Sequence, residues 1–210
     1  MKKLILSLVS VILLALLGIF GLNYLKKNGP RERVVSPDGA KIIVEEMSYY
    51  IGGDKLFGKV FKPSDENGNF PDSLGPMPVV VYFHKPLKTE WPENVVKSLV
   101  PDGIIGYTCG FRGKDKEAVN LVKRISKESF AQPGMIFVVS DASCGDQVVK
   151  AVTKLGHKIQ GLVLIEPQLT GKANETYIRF GNEFLTIGTA EKENAVSLIE
   201  DYLEERGALK

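Results

Sequence analysis

The sequence predicts an α/β domain: a mostly parallel sheet with helices on both faces, preceded by an N-terminal hydrophobic helix. Three observations carry this reading. Leu4 to Leu25 holds no charged residue. Val79 to Phe83 is an unbroken apolar run, the mark of a strand buried on both faces. Beyond it, segments of strand and helix character alternate, which implies parallel strands joined by crossover helices.

Leu4 to Leu25 approaches the ~20 apolar residues that cross a bilayer as a helix. Lys2 and Lys3 precede it, as in a secretory n-region, and Lys26, Lys27, Arg31 and Arg33 follow it. The run is long for a signal peptide, and Gly18 and Gly21 make a poor cleavage site. Residues 1–27 are therefore expected to be an uncleaved signal-anchor, with the domain on the extracytoplasmic side. Basic residues on both flanks leave orientation open, and cleavage would instead give a secreted domain. No cysteine follows the run, so a lipoprotein anchor is not indicated. The chain's net charge of +2 is concentrated at these flanks. The remainder has no basic face, and nucleic acid is not an expected partner.

Residues 28–40 read as a linker, polar from Asn28 to Arg33, and residues 41–210 as one domain. With 210 residues and 44% hydrophobic content, the chain can bury a proper core. Lys41 to Met47 and Lys55 to Lys62 alternate like strands, and Gly52-Gly53-Asp54 between them predicts a hairpin. Pro63 to Pro78 is a loop rich in Asn, Gly, Asp and Pro. Strands are then expected at Val79–Phe83, Ile104–Thr108, Met135–Val139, Leu162–Ile165 and Phe184–Ile187. Helices are expected at Asn94–Leu99, Lys116–Ser126, Gln147–Leu155 and Glu193–Glu205. In such a sheet, ligands bind beyond the carboxyl ends of the strands, so the residues just after each strand are those to read for chemistry.

After the strand Met135–Val139 comes Ser140-Asp141-Ala142-Ser143-Cys144-Gly145. Strand, tight turn and helix are the context of a nucleophile elbow, with Ser143 at the nucleophile position. The N–H of Cys144, opening the helix, is the expected oxyanion donor. The alternative is a serine N-cap on an ordinary helix. Tyr82-Phe83-His84-Lys85-Pro86 ends one buried strand. Gly106-Tyr107-Thr108-Cys109-Gly110-Phe111-Arg112-Gly113 ends the next. Ile187-Gly188-Thr189-Ala190-Glu191-Lys192 ends the last.

In order and spacing these segments resemble the α/β-hydrolase family. They match its histidine–glycine turn, its D-x-R-G turn, its elbow and its strand-seven acid turn. The separation of Ser143 and Glu191 resembles the capless, dienelactone-hydrolase-like branch. The resemblance covers roughly Lys41 to Lys210. It implies acyl transfer, with Ser143 as nucleophile, Cys144 N–H on the oxyanion and Glu191 orienting a base. A small ester-like ligand is the implied partner.

The departures are as informative. Asp141 stands where the elbow has glycine, which predicts a crowded or altered turn, with Asp141→Gly leaving stability unchanged or raising it. Its carboxylate also disfavours an oxyanion. Lys85 replaces a glycine, and Pro86 has no N–H to donate. Gly110 replaces the aspartate of D-x-R-G. No histidine follows Glu191, so the domain reads as degenerate or C-terminally truncated, lacking the last strand and its base. His157 is expected at the amino ends of the strands, about 17–20 Å away. His84 is on the correct edge, either as a replacement base or holding its loop. Cys109 and Cys144 follow strands that the family separates by one, roughly 10 Å apart, beyond disulfide reach. Both are expected to be free. The helix N-terminus favours a lowered pKa at Cys144, and Asp141 opposes it. No metal-ligand cluster and no phosphate loop appear, so no metal or cofactor is expected. Trp91 reads as a packed anchor. The expected function is that of a membrane-tethered hydrolase-like protein with weak or no activity. A serine esterase and a non-catalytic binding or scaffolding module are the alternatives.

Overall fold

The computed structural model describes residues 31–35, 39–51, 54–71, 75–85, 90–174 and 184–209. The expected N-terminal helix, the Gly52-Gly53 turn and Pro86 lie outside them. Among the described residues, no helix is long and apolar enough to cross a membrane.

Among the described residues, eight strands form one sheet: β1 (Arg31–Val35), β2 (Lys41–Ile51), β3 (Asp54–Pro63), β4 (Met77–His84), β5 (Ile105–Gly110), β6 (Ala131–Asp141), β7 (Gly161–Ile165) and β8 (Phe184–Ile187). Their spatial order is β1-β2-β3-β5-β4-β6-β7-β8. β3 is antiparallel to both β2 and β5. β5, β4, β6, β7 and β8 run parallel to their neighbours. The helices α1 (Trp91–Leu99), α2 (Asp115–Ile125) and α3 (Gly145–Leu155) join successive parallel strands, and α4 (Ala195–Glu205) follows β8.

Side-chain alternation along the strands makes two cores. Val80 and Tyr82 of β4 pack with Val96 and Leu99 of α1 and with Ile199 and Leu203 of α4. Val79, Val81 and Phe83 pack on the other face with Leu121 and Val122 of α2 and Val148 and Val149 of α3. Helices cover both faces, as the solid apolar strands require.

From Lys41 onward the expected strands and helices are all present, most of them longer than their apolar cores. One strand was not expected: β1 falls within the stretch read as a linker. β6 also begins earlier, at Ala131, with a register irregularity between Met77 and Val79 of its neighbour.

Candidate functional site

Register sets the geometry. Phe83 lies beside Cys109 on one flank and Ser140 on the other, so β4 separates β5 from β6. The residues after β4, β6, β7 and β8 therefore meet at one carboxyl edge. Ser143 and Glu191 share that edge. His157, in the 3-10 turn Gly156–Lys158 before β7, lies at the opposite one. Cys109 and Cys144 are both free and buried.

Residues after β6 turn sharply and enter α3 at Gly145, with Cys144 as N-cap residue. Strand, turn and helix are thus in the expected order. The turn itself is not a strained elbow. Among the described residues, Glu166 is the only non-glycine with positive φ. The bend is instead held by Asp141. Its Oδ1 accepts the Ser143 N–H at 2.9 Å and also the Ser143 hydroxyl. The Cys144 N–H donates to the Asp141 carbonyl at 3.1 Å. Aspartate serves here as a turn-former, its carboxylate taking a backbone N–H two residues on.

Two expectations are corrected. The Cys144 N–H, expected to hold an oxyanion, is already engaged. Asp141, expected to crowd the turn, secures it. Asp141→Gly is accordingly expected to lower stability by about 1 kcal/mol, read as a fall in urea midpoint at unchanged slope. An unchanged or raised midpoint would restore the crowding argument.

The Cys144 thiol is buried, and its pKa is pushed up to about 11. Burial is the main cause and the charge of Asp141 adds to it, against the lowering effects of the Ser143 hydroxyl and of Lys85, whose backbone N–H bonds the sulfur. Neutral thiol, not thiolate, is the resting form, so the lowering expected from the helix end does not prevail. The Lys85 N–H, which follows the histidine of the loop, is spent on that sulfur.

His84 Nδ1 lies 2.7 Å from the Lys85 carbonyl oxygen. This is the loop-holding role, and no hydrogen bond joins His84 to Ser143. Glu191 Oε2 accepts the Gly188 N–H at 2.9 Å, and the Glu191 N–H donates to the Gly188 carbonyl at 3.1 Å, at the start of the 3-10 turn Thr189–Asn194. The exposed Glu191 thus acts as an N-terminal capping acid, and its side chain makes no hydrogen bond to a histidine. Trp91 packs edge-on against Tyr82, with ring centroids 6.1 Å apart, as a packed anchor would.

Glu166 went unnoticed in the sequence. It follows β7, and its N–H donates to the Ile187 carbonyl at 2.7 Å. Its carboxylate meets Lys192 Nζ at 2.6 Å. That hydrogen bond, followed by one from Thr189, holds the carboxyl below its ordinary range despite an opposing desolvation effect. Lys192 in turn lies over the Trp91 ring, 5.1 Å from its centroid. Reading the residue after each strand would have reached Glu166, although its neighbour Pro167 argues for ordinary extended backbone. An open depression of about 480 Å³ is lined by Ala142, Glu166, Gln168 and Thr189, among others. A cavity of about 400 Å³ at β3, β5 and the end of β4 is lined by Phe57, Lys59, His84, Thr108 and Arg112, among others. Ser143 lines neither.

Arg112, after β5, meets an acid although Gly110 replaces the aspartate of the turn. Glu117, fully buried at the start of α2, accepts the Arg112 backbone N–H at 3.0 Å and Nε at 3.1 Å.

No protein-family model matches the sequence, and no curated protein matches it. Solved structures do. A cold-adapted esterase from an Arctic intertidal metagenomic library aligns over 87% of this chain and 98% of its own, at 15% identity and TM-score 0.58. Est1E from Butyrivibrio proteoclasticus aligns over 78% and 99%, at 12% identity and TM-score 0.57. The esterase Est22 aligns over 62% of this chain at 17% identity and TM-score 0.51, and there this chain spans only 44% of the other's length. At such identities the likeness speaks to architecture: a mostly parallel sheet with helices on both faces, in the α/β-hydrolase fold.

Proposed function

We propose that this chain is a membrane-tethered α/β-hydrolase-like protein with weak or no catalytic activity of its own, on the capless, dienelactone-hydrolase-like side of the fold. The short connection of residues 166–183 between β7 and β8 supports the absence of a cap there. One observation carries the catalytic part: Asp141 takes both the N–H and the hydroxyl of Ser143. A carboxylate is a weak base toward an alcohol, and its charge opposes the negative oxygen that acyl transfer must build. What remains is a fold with an open carboxyl edge, suited to holding a small ester-like ligand without turning it over.

Full-length protein in detergent is expected to show no labelling of Ser143 by a fluorophosphonate over minutes, followed by intact mass. Stoichiometric labelling would establish the second reading, a serine esterase with Ser143 as nucleophile. That reading is favoured by the esterases among the matched structures and by the place of Ser143 between strand and helix.

Tethering rests on Leu4 to Leu25, with the domain proposed to be extracytoplasmic. The expressed chain is expected to stay with the membrane pellet after carbonate washing. A soluble form whose N-terminus lies between Leu22 and Asn28 would show a cleaved signal instead.

A further inference from the structure

We propose that one face of the β2–β3 hairpin is a docking surface for the interface of an anionic phospholipid bilayer, the one to which the chain is tethered. This rests on the tether reading above. In β2–β3 pairing, Tyr50 lies opposite Lys55, Ser48 opposite Phe57 and Glu46 opposite Lys59, so these six side chains share a face. The same rows begin, nearer the centre of the sheet, with Ile42, Val44 and Phe61, buried in the core beneath α1 and α4. Toward the hairpin tip the rows leave that cover, yet they do not become uniformly polar. Tyr50 is 69% exposed and Phe57 64%, the two large exposed hydrophobics among the described residues. The opposite face is ordinary: Tyr49 and Leu56 are buried. A half-solvated hairpin normally turns polar residues outward, so two aromatics there call for a partner.

The composition of the patch selects that partner. Aromatic rings with lysines are the residues of a membrane–water interface. Lys55 lies over the Phe57 ring, 5.0 Å from its centroid, and Lys85 is exposed at the end of β4. Glu46 sits farther from the tip, and Lys59 is neutralised by Glu93 at 2.8 Å. The cavity of about 400 Å³ opens beside Phe57, with Met47, Leu56 and Gly110 among its lining. It offers an apolar recess next to Lys55, with Glu46 and the Lys59–Glu93 pair at its border. Chain length supplies the second argument. Residues 26–30 separate the apolar run from β1, and at ~3.3–3.6 Å per residue they reach about 17–18 Å at most. β1 is the strand next to β2.

The test uses the full chain reconstituted in vesicles, with Phe57→Cys carrying an environment-sensitive fluorophore. Cys109 and Cys144 are buried and do not compete for the label. Lys150→Cys, exposed on α3 beneath the other face, is the reference. In phosphatidylglycerol vesicles, the label at 57 is expected to shift to the blue and be quenched by brominated lipid, while the label at 150 does neither. The effect should weaken in phosphatidylcholine. Vesicle co-flotation with a label at 57 that stays as wet as that at 150 overturns docking and leaves the tether standing. Failure to co-float overturns both. A blue shift that grows with protein concentration and ignores brominated lipid assigns the face to a second copy of the chain and also overturns the proposal.

Discussion

Replacing Arg112 by methionine is expected to cost about 3–5 kcal/mol, because it strands a buried charge. Glu117 is fully buried at the start of α2. Its Oε1 is held by Arg112 Nε at 3.1 Å and by a terminal guanidinium nitrogen at 2.9 Å, and its Oε2 by the Arg112 backbone N–H. Methionine keeps the length of the stem and the backbone N–H but removes the cation, taking two of these three donors from the buried carboxylate. For a domain of this size the melting temperature should fall by roughly 10 °C. The double variant Arg112→Met, Glu117→Met removes both charges, and most of the stability should return, since apolar replacement of a buried pair is often neutral. Equal losses in the single and double variants would show that the pair contributes through shape rather than charge.

Tyr82→Phe is expected to act in the opposite direction, stabilising by about 1–2 kcal/mol and raising the melting temperature by roughly 5 °C. Tyr82 is fully buried in β4, and its hydroxyl has no hydrogen-bond partner among the described residues. Burial pushes the phenol far above its ordinary pKa, and the carboxylates of Asp141 and Glu166 push the same way. The group is therefore a protonated donor facing no acceptor among the described residues, and a buried unsatisfied hydroxyl costs more than the small void left by its removal. A lowered melting temperature would mean that the hydroxyl is satisfied in solution by a water or a ligand.

Much of the sheet was legible because burial on both faces leaves a plain mark: Val79 to Phe83 reads as a strand without any alternation to interpret. Misreadings fell where local chemistry and tertiary pairing disagree. Pro133 and Gly134 signal a loop, yet β6 passes through them. Arg31, Glu32 and Arg33 look like a linker, yet charge is also how edge strands are guarded. At the candidate site, position was legible and bonding was not. Ser143 stands where strand, turn and helix place it. Its capture by Asp141 depends on one rotamer, although the Asp-x-Ser spacing is itself a turn signal. The engagement of Cys144 by the Lys85 N–H joins the turns that follow two different strands, and no local pattern announces it.

On the proposed reading, the bond from Asp141 to Ser143 also gives the chain's descent a direction. A carboxylate that secures a turn has a use independent of chemistry, so selection for folding alone will keep it. Restoring glycine there would give up that hold at once, with no hydrolysis gained until a base and oxyanion donors are also in place. Proteins held just above a stability threshold do not readily accept such a first step. The turn then works as a ratchet: loss of activity is easily entered, and its reversal requires several coordinated changes.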